Sequence, residues 1–272
     1  MTRDHKTRAR TARLIAAVVL LVPLASCLNI TDNNSNLYQY GAMTVRGLGG
    51  AATQVNATTN GVFFSALTAS IPDSRLVQNS CAFSAVDTTN PAPKGDLRAG
   101  ASVTLLTGTG SNKTTVTLPL NTTNTSYVGA SGFTYKAGDS ATVSVPGEAG
   151  GFPASSVTVR LAEPIIPQDI IMPLANENML VRWNVGDSTS AIILSIKYAN
   201  PMTATYANEQ VVCSLRDDGA EDILATALGP FLLSPVAKRS VKITRWRTNA
   251  VQSDTRALLH VVSTVDSTAK LK

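Results

Sequence analysis

The 272-residue chain carries 23 Lys and Arg against 18 Asp and Glu, a net charge of +5. Five of those basic residues and one acidic residue lie in the first 26 positions, and without them 18 stand against 17, which removes the electrostatic case for a nucleic-acid partner. The remaining stretch of about 245 residues has room for one large or two small domains, and it lacks the heptads and Glu/Lys/Leu patterns that long helices use.

Arg3, Lys6, Arg8, Arg10 and Arg13 form a positive n-region ahead of an apolar run from Leu14 to Ala25. That run is shorter than the ~20 residues needed to cross a bilayer, so it reads as a signal peptide and not as a transmembrane helix. Leu24, Ala25, Ser26 and Cys27 at its end resemble the lipobox of bacterial lipoproteins: an apolar residue, two small ones, and the cysteine that takes the lipid. The resemblance implies that residues 1–26 are a signal peptide and that the mature chain begins at a lipidated Cys27. The membrane, reached through that lipid, is then a partner, and two or more acyl chains hold a protein there durably. Residues 27–36 read as a polar tether. In enterobacterial lipoproteins Asp directly after the lipidated cysteine favours the inner membrane; Leu28 occupies that place here and points to the outer membrane.

Beyond Leu37, β-branched or aromatic residues recur at every second position near residues 40–46, 61–67, 80–86, 101–107, 114–120, 132–135, 140–145 and 156–161, which predicts eight short strands. Val103 to Leu118 has the form of a hairpin turning at Gly108, Gly110 and Asn112, and Gly132 to Val145 of a second turning at Gly138 and Asp139. The segment 162–173, AEPIIPQDIIMP, carries three prolines and is the expected linker between a β-sandwich over 37–161 and another over 174–272. In the second, Met179, Val181, Trp183 and Val185 share one face, as do Ile192, Leu194, Ile196 and Tyr198. With Pro164 or Pro167 ahead of them, Trp183 and Tyr198 resemble the entry strands of a fibronectin type III or immunoglobulin-like domain over about 40 residues, although no tyrosine-corner sequence follows. The resemblance implies an all-β chain of two tandem immunoglobulin-like sandwiches, with Trp183 buried as the main anchor of the second core.

Val211, Cys213 and Leu215 form the next strand face. One short helix is expected after it, capped by Asp217 or Asp218, carrying Ile223, Leu224, Ala227 and Leu228, and ended by Gly229 and Pro230. Strands near 240–246 and 257–265 close the chain. Phe64, Cys81 and Val103 correspond in order to Ile196, Cys213 and Val241, with 17 residues between the first two members in each case. On that reading the two cysteines occupy equivalent cores in different domains, and they are expected to be unpaired, buried thiols, although an exported chain with an even cysteine pair also suits a disulfide.

Chemistry-bearing residues are sparse. His260 is the one histidine after the leader, it alternates with Leu258 and Val262, and no G-x-S-x-G elbow accompanies any serine, so a Ser-His-Asp hydrolase has no support and no catalytic residue is assigned. The sequence GTGSNKTT, Gly108 to Thr115, lacks the glycine directly before lysine that a phosphate loop requires and reads as a hairpin. Two cysteines and one histidine far apart make no zinc site, and no metal or other cofactor is expected. The cluster Asp217, Asp218, Glu221 and Asp222 suits the start of a helix, with Ca²⁺ binding in an adhesin module as the alternative. Lys238, Arg239, Lys242, Arg245 and Arg247 around Trp246 read as a solvated strand face. Sequons at Asn29, Asn33, Asn56, Asn112, Asn121 and Asn124 follow from composition. The reading is therefore a lipid-anchored cell-envelope protein with a non-catalytic binding, adhesion or structural role, its partner an envelope polysaccharide or another envelope protein. The alternative from a different class is a glycan-acting enzyme using two carboxylates such as Asp217 and Glu221.

Overall fold

The computed structural model describes residues 37–48, 53–66, 79–87, 94–187 and 189–272; the expected signal peptide over 1–26, Cys27 and the expected tether over 27–36 lie outside them. Residues 38–272 gather into one compact unit. The fold is all-β. In chain order the strands are β1 (Tyr38–Gly47), β2 (Gln54–Ala66), β3 (Ser80–Ala85), β4 (Ser102–Thr107), β5 (Thr114–Asn121), β6 (Ser126–Val128), β7 (Phe133–Lys136), β8 (Ser140–Val145) and β9 (Ser155–Arg160). They continue with β10 (Met179–Arg182), β11 (Ala191–Tyr198), β12 (Glu209–Arg216), β13 (Ala220–Ile223), helix α1 (Ala225–Leu233), β14 (Ser240–Asp254) and β15 (Ala257–Ala269). Every expected strand is present, and most carry the alternation that lets one face be buried: β4, SVTLLT, and β8, SATVSV, bury Val103, Leu105, Val143 and Val145 on one side. β3 is the exception, with all six residues exposed, so Cys81 does not point into a core as expected and Phe83 beside it is 57% exposed.

The main sheet runs β3-β12-β11-β14-β15-β1-β2-β6-β5-β4-β8-β9, with β7 added on β2. It curls over, so that β9 packs against β14 and β15. Met43, Val45, Val55 and Phe63 from β1 and β2 thereby face Val103, Leu105, Val143, Val157 and Val159 across a first core. A second core holds Trp183, Ile192, Leu194, Ile196, Val211, Val241 and Ile243, and is closed by the small β10–β13 sheet and by Leu228 and Phe231 of α1. Trp183 is buried there, at 4% exposure.

The cores part within the proline segment: Ala162 belongs to the first and Ile165 to the second. The strands do not part with them. β14 and β15, 15 and 13 residues long, span about 45 to 50 Å and serve both cores, with Val241, Ile243 and Ala269 in the second and Leu259, Val261 and Val265 in the first. β1 joins β15 in parallel, and β3 crosses from the N-terminal half to pair with β12. Cys81 thereby lies directly opposite Cys213, and the two form a disulfide with an S–S distance of 2.05 Å. This overturns the expectation of separate thiols, which assumed that each half kept its own strands. The apparent repeat falls with it, since β11 and β12 pair with each other whereas β2 pairs with β1, β6 and β7 and not with β3.

Two further local readings are corrected. The Lys136–Asp139 turn is present, but β7 joins β2 while β8 joins β4 and β9, so 132–145 is a strand that changes partners and not a hairpin. Helix α1 begins at Ala225, after a strand over the residues expected to start it. Its first donor, the Ala225 N–H, is accepted by Asn178 Oδ1 at 2.9 Å and not by Asp217 or Asp218. Gly229 and Pro230 lie inside the helix, which continues to Leu233 because burial of Leu228 and Phe231, one turn apart, outweighs the hydrogen bond that Pro230 forgoes. Among the described residues no helix is long and apolar enough to cross a membrane.

Candidate functional site

Where the two cores meet, strands β9 and β14 and the connections that follow β9, β10 and β12 bring charged groups together. In β14, Val241 and Ile243 point into the second core, and the period of two carries the same face on through Arg245 and Arg247. Arg245 is buried, with a side-chain exposure of 1%, against the Asp217 carboxylate at 0% just beyond the end of β12. Arg245 donates through Nε to Asp217 Oδ2 at 2.6 Å and through Nη2 to Oδ1 at 3.1 Å, a bidentate fork. Its remaining donors reach the Pro164 carbonyl at 2.9 Å and the Asn184 carbonyl. Asp217 also accepts from Trp183 Nε1 at 2.9 Å, the Gly186 N–H at 3.1 Å and Ser190 Oγ at 2.6 Å. Gly186 is required by that approach, since a Cβ there would stand 2.1 Å from Asp217 Oδ2.

A second layer lies outward of the first. Arg247 donates to both Glu163 oxygens at 2.7 to 3.0 Å and to Asp187 Oδ1 at 2.6 Å. Arg160 pairs with Glu163 at 3.3 Å and with Asp187. Three guanidinium groups therefore meet three carboxylates. The Arg247 hydrogen bond holds the Asp187 carboxyl well below the usual carboxylate range against the opposing effect of burial, with Thr189 adding two more donors. Burial acts to lower the Arg247 pKa, and its bonds to Asp187 and Glu163 more than reverse that. A cavity of about 370 Å³ opens beside this seam, lined by Arg160, Glu163, Asn184, Asp187 and Arg245 among others.

A group whose folded pKa is depressed stabilises the fold above its unfolded value, near 3.9 for Asp, and loses that contribution as pH falls toward the folded value. The melting temperature is therefore expected to drop on acidification below about pH 4, and to drop less steeply in Asp187→Asn. Parallel profiles for the two proteins between neutral and acidic pH would show that Asp187 takes no part in acid unfolding.

The candidates named from sequence are dispersed. Asp217 is held by Arg245, while Glu221 sits opposite Val181 in the β10–β13 ladder and does not line the cavity, so the pair does not face across a cleft as glycoside hydrolysis requires. Burial, and then Asp218 and Asp222, raise the Glu221 pKa. Among the described residues no three of His, Cys, Asp and Glu gather as a metal site. His260 is a buried sheet residue whose Nε2 meets Thr248 Oγ1. The solvated basic face does not exist in the form expected: Arg245, Trp246 and Arg247 are all buried, Lys242 pairs with Asp266, and Arg239 lies over the Phe231 ring. Trp246 Nε1 is buried without a hydrogen-bond partner among the described residues. Sequence alternation carried the missed signal, because Arg245 and Arg247 continue the parity of Val241 and Ile243; what it could not supply was the identity of the matching acids, 28 residues away at Asp217 and 84 at Glu163.

No protein-family model and no curated protein matches this chain.

Proposed function

We propose that the chain is an exported, lipid-anchored cell-envelope protein, mature from Cys27 and held at the outer membrane, with a non-catalytic binding or structural role. The address rests on the basic n-region, the apolar run to Ala25 and the LASC ending. The observation that carries the non-catalytic part is the mutual neutralisation at the core junction, where Arg160, Arg245 and Arg247 are matched against Glu163, Asp187 and Asp217. A general acid or base must be free to exchange a proton with substrate; carboxylates bound to guanidinium groups and further donors instead fix the relative placement of the segments that carry them. The near-neutral mature charge supports an envelope polysaccharide or protein as partner over nucleic acid.

Expression of the full chain and of Cys27→Ala in a Gram-negative host tests the anchor. The natural sequence is expected in the membrane fraction and labelled by an alkyne fatty acid, with Cys27→Ala soluble and unlabelled. An unchanged membrane distribution for Cys27→Ala would remove the lipid anchor.

A further inference from the structure

A second concave surface lies away from the arginine seam, where three turns converge: the chain entering β2, the β4–β5 connection and the β7–β8 turn. Its volume is about 560 Å³, within the ~300 to 1,000 Å³ usual for ligand clefts. Such clefts are mostly apolar; this one is lined by amide, hydroxyl and ammonium groups, among them Gln54, Asn112, Lys113, Thr134 and Lys136. The turn that builds one wall is held in shape by Gly108, whose φ of +83° and 2.3 Å clearance from the Asn112 carbonyl at the Cβ position exclude any other residue without rearrangement. The GTGSNKTT stretch thus does not hold a nucleotide phosphate in a loop before a helix; it presents Lys113 from a hairpin.

Two features select the ligand. First, Lys113 and Lys136 are exposed, and neither forms an ion pair among the described residues, unlike Arg46, Arg98, Lys242 and Lys272, which do. The acidic group in the lining, Asp139, already accepts the Lys136 backbone N–H at 3.1 Å and leaves the groove one net positive charge. Second, the aromatic residue in the lining is withheld: Tyr135 is 2% exposed and its hydroxyl donates to the Ala162 carbonyl, so no ring face is offered for stacking on a neutral sugar. An extended, hydroxyl-rich ligand carrying carboxylates would satisfy both the amide and hydroxyl groups and the two ammonium groups of the lining. We propose that this groove binds an acidic oligosaccharide, the uronate-bearing segment of an envelope polysaccharide. The inference rests on the envelope-binding reading above and names its ligand class.

The full chain, purified in mild detergent, would be titrated calorimetrically with hexagalacturonate, with maltohexaose as the neutral control and a single-stranded DNA oligonucleotide as the polyanion control. Saturable binding of hexagalacturonate is expected, weakening as salt rises and falling about tenfold or more in Lys113→Gln/Lys136→Gln. Both lysines are exposed, so the double variant should keep the melting temperature of the natural sequence and a loss of binding would not reflect misfolding. No saturable binding, equal binding of maltohexaose, equal binding of DNA, or an unchanged affinity in the double variant would each overturn the assignment. Because the titration uses purified protein, its failure leaves the fractionation result of Cys27→Ala standing, and failure of the anchor leaves the titration standing.

Discussion

Arg245→Met is expected to destabilise the fold by about 3 to 5 kcal/mol. Methionine fills most of the arginine's apolar volume, so the loss would come from charge: the Asp217 carboxylate, at 0% exposure, would lose its cation, and the Pro164 and Asn184 carbonyls would lose their donors. Protein domains are stable by only about 5 to 15 kcal/mol, so the variant should unfold at a much lower urea concentration at neutral pH. Adding Asp217→Asn to Arg245→Met should cost less than the sum of the two single changes, because the second removes the charge that the first stranded. Strict additivity, or a single-variant loss below about 1 kcal/mol, would show that the pair contributes little and that the seam is held by packing around Trp183 and Ile243 instead.

Reduction of Cys81–Cys213, or replacement of both cysteines by serine, is expected to cost a comparable amount. The bridge closes a separation of 132 residues, for which the chain-entropy account gives about 5 kcal/mol. That loop includes β4 to β11 and so most of both cores. The urea midpoint measured with and without a thiol reductant checks this, and denatured unreduced protein should leave both cysteines unlabelled by maleimide. An unchanged midpoint on reduction would place the stability of β3 in its ladder with β12 and not in the bond.

These two interactions differ in how they could be read. Trp183 was legible as a core residue because β10 and the residue after it, Met179 to Trp183, display the alternation that buries it, although Val185, next in the same parity, is exposed. The positions of β1, β2, β4, β5, β7 to β9 and β14 to β15 were legible for the same reason, as was the β4–β5 hairpin, whose register is set by a short loop and two glycines with positive φ. The burial of Arg245 was half legible: its parity was visible, but a basic residue on an apolar face is accepted only once its acid is known. Nothing local names Asp217.

What the sequence by itself determined, then, is the all-β class and the positions and inward faces of most strands, all of which depend on residues within about ten positions of one another. What only the tertiary structure decided is which strands are neighbours. Pairing of β1 with β15 and of β3 with β12 joins residues more than a hundred positions apart, and the backbone ladder that makes such a pair uses N–H and C=O groups that every residue other than proline possesses in full, so the side-chain pattern of one strand carries no record of its partner. The disulfide, the shared β14–β15 strands and the arginine–carboxylate seam all follow from those long-range pairings. Each was therefore beyond a reading that proceeds along the chain.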